Sequence, residues 1–298
     1  MKTKINTSRI LIAALTFGIG AFMSSCDSEV SSKGTASVGV TDAAVDAENI
    51  TGVYLKVNQI EAKGSEASQT IAQFDEPKTF NVMDFQNGAK YDLGEGEIES
   101  GVYTELRLIL AEGSYVKFKD GTTEPLDVPS GTTSGYKIKG DYQISANNET
   151  KLVIDIDLRK AFVLTGNGQY KLRPTARLSN DDNTATINGT MTGNTDDRVV
   201  VYAYANGTYS ESEANEPADG SSRFENSINS AVVADGKFTL AFMEPGEYEF
   251  IVAKYTREEV TESYTFMSSS KVEATVAGSI LDTLEIESNT DVNVLIIL

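Results

Sequence analysis

Leu152-Val153-Ile154-Asp155-Ile156-Asp157-Leu158 places aliphatic side chains at 152, 154, 156 and 158, with Val153, Asp155 and Asp157 between them. Successive side chains of a strand point to opposite faces. The stretch therefore predicts a strand with one apolar face and a second face carrying both aspartates. The same period of two recurs upstream in Val53, Leu55, Val57 and in Leu106, Leu108, Leu110. Downstream it returns in Phe238, Leu240, Phe242 and in Tyr248, Phe250, Val252. Between those two runs lies Glu244-Pro245-Gly246-Glu247, which suits a type II turn and predicts a hairpin. Residues 291–298 become apolar on both faces, the pattern of a central or covered strand. Helical periodicity is weak, and short helices are expected only near residues 79–85 and 222–231. The fold class is all-β.

A polar run, Ser179-Asn180-Asp181-Asp182-Asn183-Thr184, separates two sets of alternating segments and reads as a linker. It divides the chain into two expected β-sandwich domains, 35–178 and 185–298. A second polar stretch, 210–222, carries Glu211, Glu213, Glu216 and Asp219. It is either solvated slack or a functional loop.

Composition narrows the chemistry. The 298 residues include 44 acids against 25 bases, a formal charge of −19. Such a surface repels nucleic acid, so none is expected as a partner. The chain has no His, no Trp and one Cys. No Ser-His-Asp or Cys-His nucleophile is available, and zinc lacks both of its usual ligand types. No glycine-rich phosphate loop opens a helix, and no cofactor is expected. Paired-carboxylate chemistry and oxygen-ligated calcium remain open. With 40% hydrophobic residues the core alone must stabilise the fold, because one cysteine cannot form an intrachain disulfide.

The amino terminus sets the expected compartment. Lys2, Lys4 and Arg9 precede a 13-residue apolar stretch, 10–22, which is short for a membrane span. It ends in Met23-Ser24-Ser25-Cys26. Small residues before a cysteine at this point resemble a bacterial lipobox, with Met where Leu is usual. The resemblance implies a signal peptide over 1–25, a lipid on the Cys26 thiol, and a lipid-anchored tether over 26–34. Removing the leader takes away three positive charges and no acid, so the rest of the chain is more acidic still. The expected location is the cell envelope, on the outer membrane, with periplasmic and surface faces both open.

Several segments together resemble the bacterial lipoprotein family known as domain of unknown function 4382. They are Gly39-Val40-Thr41-Asp42-Ala43-Ala44, Gly101-Val102-Tyr103-Thr104-Glu105-Leu106-Arg107-Leu108, Pro129-Ser130-Gly131, Ser134-Gly135-Tyr136-Lys137-Ile138, Asp155-Ile156-Asp157 and Tyr170-Lys171-Leu172-Arg173-Pro174. The resemblance implies a β-sandwich over 35–178 and assigns no catalytic residue. Asp235-Gly236-Lys237-Phe238 and Met243-Glu244-Pro245-Gly246-Glu247-Tyr248 make 185–298 similar to transthyretin-like or carboxypeptidase-regulatory β-sandwiches.

Candidate sites carry two readings each. Asp155 and Asp157 either hold calcium or form a surface charge ladder with Lys171, Arg173 or Arg177 on a neighbouring strand. Asp181 and Asp182 either ligate calcium or sit in a plain hinge. Tyr202 and Tyr204, on one face of 199–204, with Tyr209 nearby, either stack a ligand such as a sugar or pack across strands. The leading functional expectation is a non-catalytic envelope lipoprotein, a binding or structural module for a glycan or envelope protein. An adhesin or fimbrial assembly component is the alternative, with the Ala36/Val38/Val40 segment and the last strand available for exchange between subunits. A carboxylate-based glycan-active enzyme is third.

Overall fold

The computed structural model describes residues 32–42, 50–65, 67–193, 198–217, 222–257 and 264–298. Ser31–Leu298 forms one compact unit. The leader and Cys26 lie outside the described residues. Among the described residues no helix is long and apolar enough to cross a membrane.

The first half contains β1 (Lys33–Thr41), β2 (Ile50–Gly64), β3 (Ser68–Asn81), β4 (Tyr91–Glu99), β5 (Gly101–Leu110) and β6 (Tyr115–Phe118). It continues through β7 (Thr123–Asp127), β8 (Tyr136–Ile144), β9 (Glu149–Asp155), one helical turn α1 (Leu158–Ala161), β10 (Phe162–Leu164), β11 (Tyr170–Leu172) and β12 (Arg177–Asn180). One sheet has the order β12-β9-β1-β4, with β1 parallel to β9 and antiparallel to β4. The other runs β10-β11-β7-β6-β2-β5-β8, with β3 also on β2. Their inner faces meet through Val38, Val40, Leu152 and Ile154 from one sheet and Leu55, Leu106, Leu108 and Ile138 from the other. These are the alternating positions, so the sequence period is the direct cause of this core.

The second half contains β13 (Ala185–Thr192), β14 (Arg198–Ala205), β15 (Asn229–Val232), β16 (Lys237–Met243) and β17 (Gly246–Arg257). It ends with β18 (Tyr264–Val272), β19 (Ala274–Val276), β20 (Ser279–Leu281), β21 (Leu284–Ile286) and β22 (Asp291–Ile297). The sheets are β16-β13-β22-β19-β20 and β15-β14-β17-β18, with β21 on β17. Ile187, Leu240 and Ile296 pack against Val199, Val201, Phe250 and Val252 between them. Gly189 pairs with Phe238 across β13 and β16, and a Cβ there would come within 1.9 Å of the phenyl ring. The ring occupies the space that glycine leaves.

Several expectations need correction. Glu244-Pro245 closes no hairpin. β16 pairs with β13, whereas β17 pairs with β14, β18 and β21, so the turn carries the chain from one sheet to the other. Residues 222–231 form turns leading into β15 instead of a helix, whereas the short helix expected near 79–85 is present as a 3-10 turn, Val82–Asp84, after the end of β3. The run 179–184 is not free linker. Ser179 and Asn180 pair with β9, and Asp181–Asn183 form a 3-10 turn capped by the Asn180 side chain. β22 is central between β13 and β19 as expected, but only one of its faces is covered: Val294 and Ile296 are buried while Ile297 is 68% exposed. β1 is also internal, hydrogen-bonded on both sides. Neither β1 nor β22 is an edge strand poised for exchange.

Candidate functional site

β9 is apolar on its inner face, and its other face, exposed at Glu149 and Lys151, becomes buried toward the end of the strand. Val153 and Asp155 are 0% and 4% exposed. Asp155 borders Thr239, Ala241 and Phe242 of the second sandwich. The surface ladder expected for Asp155 and Asp157 is therefore an interior seam between sandwiches. Of the three basic partners expected, Arg177 is the one used. Its Nη2 donates to Asp155 Oδ2 at 2.9 Å and its Nη1 to the Phe242 carbonyl at 2.9 Å. Lys171 turns instead to Asp127 at 3.4 Å.

Asp157 caps α1, its Oδ1 accepting from the Arg159 backbone N–H at 3.2 Å. The Arg159 guanidinium grips the same carboxylate at 3.1 and 2.7 Å, and Lys160 Nζ lies 3.5 Å away. Arg159 and Lys160 then reach across to Ser227, at 3.1 Å to its hydroxyl and 2.6 Å to its carbonyl. Ser222 returns a hydroxyl to the Arg159 carbonyl. Burial disfavours charge on Arg159, but the Asp157 carboxylate outweighs it and holds the guanidinium more firmly protonated. Burial lowers the Lys160 pKa.

Asp42 completes the seam. It accepts from the Leu158 N–H at 3.3 Å and from Gln86 at 3.0 Å. Burial raises its pKa well above the usual carboxylate value, with Asp155 and Asp157 adding to the rise. Burial likewise raises Asp155, against the pull of Arg177. Perturbed carboxylates often mark catalytic sites. Here Asp42 and Asp155 border a space of only about 10 Å3, too small for a substrate. Among the described residues no group of three or more Asp, Glu, His or Cys side chains is placed to hold a metal ion. Asp181 pairs with Lys90 at 2.9 Å and Asp182 with Lys151 at 3.3 Å, so these two aspartates pin the turn to the first sandwich.

The tyrosine row is also relocated. Val199, Val201 and Ala203 face the sandwich core. Val200, Tyr202 and Tyr204 face a third apolar cluster on the outer side of the sheet, with Ile251, Ala253, Tyr255 and Phe224. Tyr202 and Tyr204 are 2% and 0% exposed, which corrects the exposed stacking surface. The two tyrosine hydroxyls of Tyr202 and Tyr255 meet at 2.9 Å. Tyr204 donates to Glu213 at 3.0 Å, and half-buried Tyr209 packs edge-on against it at 5.2 Å.

Tyr209, Ala214 and Phe224, from the described residues on either side of 218–221, cover these rings. Glu211–Ala214 forms a 3-10 turn, and Glu213 also accepts from the Asn226 N–H at 3.0 Å. The chain then drives Phe224 onto Tyr202, with ring centroids 4.4 Å apart and an interplanar angle of 27°. Phe224 adopts φ 57°, a left-handed conformation unusual for an aromatic residue.

Beside this plug the two sandwiches leave a pocket of about 440 Å3. Leu158, Arg159 and Phe162 form its first-sandwich wall; Tyr202, Tyr255, Tyr264 and Phe266 supply rings from the second, with Ser222, Arg223, Thr265 and Glu216 toward the rim. Arg159 stands 4.9 Å over the Tyr202 ring and Arg223 4.7 Å over the Phe266 ring. The lining is mixed, aromatic rings beside arginine, hydroxyl and carboxylate side chains, so it offers both stacking faces and orienting polar groups to a small ligand. A larger cleft of about 600 Å3 around Gln143, Thr150, Asn180 and Glu244 is chiefly polar. Of the tyrosines picked from sequence, the pocket uses Tyr202 alone. Tyr255, Tyr264, Phe266, Arg159 and Arg223 were missed. The alternation of Tyr264 and Phe266 was a readable signal for a strand face, but no local pattern placed α1 opposite them.

Residues 33–174 match the model of a family described as "Domain of unknown function (DUF4382)", a match that spans the first sandwich. No curated protein matches the chain. Three solved structures illustrate its likenesses. The TIE protein of Bacillus anthracis is 11% identical, with 90% of this chain and 33% of that one covered and a TM-score of 0.20. This chain thus spans about a third of the length of that protein. GBS52, the minor pilin of Streptococcus agalactiae, is 9% identical over 88% and 94% of the two chains, TM-score 0.21. A DUF3823 family protein from Bacteroides ovatus is 13% identical over 80% and 97%, TM-score 0.17. Likeness at this level carries no argument about function.

Proposed function

We propose that this protein is a non-catalytic binding module of the cell envelope, held to the outer membrane by lipid on Cys26, and that its ligand site is the aromatic pocket between the sandwiches. The observation that carries the reading is the pocket itself. It is about 440 Å3, walled by Phe162, Tyr202, Tyr255, Tyr264 and Phe266, with guanidinium groups over three of its rings, Arg159 on Tyr202, Arg198 on Tyr264 and Arg223 on Phe266. Aromatic faces with a few hydroxyl and charged groups suit a glycan unit or a protein side chain. The absence of His and the lack of space beside the perturbed carboxylates support binding over catalysis. The lipobox-like Met23–Cys26 sequence supports the anchor. The experiment is a glycan-array and envelope-protein screen of the full chain in detergent micelles, run beside Phe266→Ala and Tyr209→Ala. Phe266→Ala should abolish the principal interaction and Tyr209→Ala should leave it intact. The opposite ranking would move the site to the covered tyrosine cluster and sink the assignment.

A further inference from the structure

The charges around the pocket are not equivalent. Arg159 is already committed, gripped by Asp157 through two hydrogen bonds, with its side chain only 5% exposed. Arg223 is different. Its Nη1 is anchored on the Ala214 carbonyl at 2.8 Å, and its guanidinium lies over Phe266. Its carboxylate contact is Glu216 at 3.5 Å, at the long end of a hydrogen bond, and the Glu216 side chain is 87% exposed. An ion pair so placed contributes little and is readily exchanged. A guanidinium fixed by a backbone carbonyl and an aromatic face is, by contrast, preorganised for a carboxylate.

We propose that the pocket takes an acidic sugar, a uronate unit whose carboxylate replaces Glu216 on Arg223 while its ring lies against the aromatic wall. This rests on the binding-module reading above and names its ligand class. The cation shares the pocket lining with Thr265, whose hydroxyl suits a sugar's own. The pocket volume fits a ring-sized group and not an extended peptide. Glu216 is then a stand-in for the ligand: it keeps Arg223 paired when the pocket is empty and, in a chain of charge −19, repels anions that lack a ring to stack.

The test is titration calorimetry of the full chain in micelles with trigalacturonate and with its methyl ester, which keeps the rings and removes the charge. The acid should bind about tenfold more tightly than the ester, and Arg223→Gln should abolish that preference, so that acid and ester bind alike. Glu216→Gln should tighten the acid several-fold, because the competing carboxylate is gone. Equal binding of acid and ester, lost together in Phe266→Ala, would overturn the acidic preference and leave the pocket standing. Binding of neither would overturn the acidic-sugar proposal, whereas the pocket reading itself falls only if the screen's principal interaction survives Phe266→Ala. If Arg223→Gln fails to fold, Glu216→Gln decides, since that side chain is exposed; weaker acid binding by Glu216→Gln would contradict the proposal.

Discussion

Replacing Phe224 tests whether the stretch after β14 is a packed cover or solvated slack. The side chain is fully buried, stacked on Tyr202 at 4.4 Å and 6.0 Å from the Phe266 ring. Truncating a buried Phe to Ala costs about 3–5 kcal/mol, of which the stacked ring pair contributes about 0.5–1.5 kcal/mol. The backbone adds a second, independent reading. At φ 57° any residue with a Cβ carries a penalty of roughly 1–2 kcal/mol that glycine does not. Alanine retains that penalty, so Phe224→Gly should be at least as stable as Phe224→Ala. Elsewhere glycine is commonly the worse of the two by about 0.5–1 kcal/mol. Urea unfolding at neutral pH, followed by near-ultraviolet circular dichroism, measures both variants. A loss under about 1 kcal/mol for Phe224→Ala would refute the packing argument. A glycine variant clearly weaker than alanine would refute the backbone argument.

Asp157→Ala should destabilise by about 3–5 kcal/mol in the same assay, because it strands the buried Arg159 charge and removes the α1 cap; a near-neutral result would mean that the seam is hydrated. Asp42 keeps its proton to a higher pH when folded than when unfolded, since burial raises its pKa. Its contribution to stability is therefore present below the unfolded value near 3.9 and lost as pH rises through the folded value. Asp42→Asn should accordingly raise the melting temperature at pH 7, with the gain shrinking toward pH 4; a gain that grows on acidification contradicts the assignment. Cys26→Ala should leave the leader unprocessed and move the protein out of the detergent phase in Triton X-114 partitioning, whereas wild-type partitioning by the variant would remove the lipid anchor from the account.

Strand existence was legible because one face of each strand meets a sandwich core, and period two records that directly. Val38/Val40, Leu106/Leu108 and Leu240 all fall where alternation puts them. What alternation cannot show is a second buried face. β14 reads as one long apolar run, and its Tyr202 and Tyr204 could face either way until the cover over them is known. Asp155 looked solvent-facing because what covers it comes from the other sandwich: Arg177, its partner on the neighbouring strand, also binds the Phe242 carbonyl, 87 residues on from Asp155. The Pro245-Gly246 turn was misplaced for a related reason: a tight reversal is equally compatible with a hairpin and with a crossing between facing sheets. The pocket was illegible because Arg159 and Phe266 converge only after two sandwiches dock.

Hydrogen–deuterium exchange of the full chain, with and without a saturating amount of the tightest ligand from the glycan and envelope-protein screen, tests the central claim most directly. The account predicts protection confined to residues 158–162, 222–224 and 264–266, the walls of the pocket between the sandwiches. Protection centred instead on Lys271, Ile280 and Ile297, which line a separate groove at the far strands of the second sandwich, would contradict it.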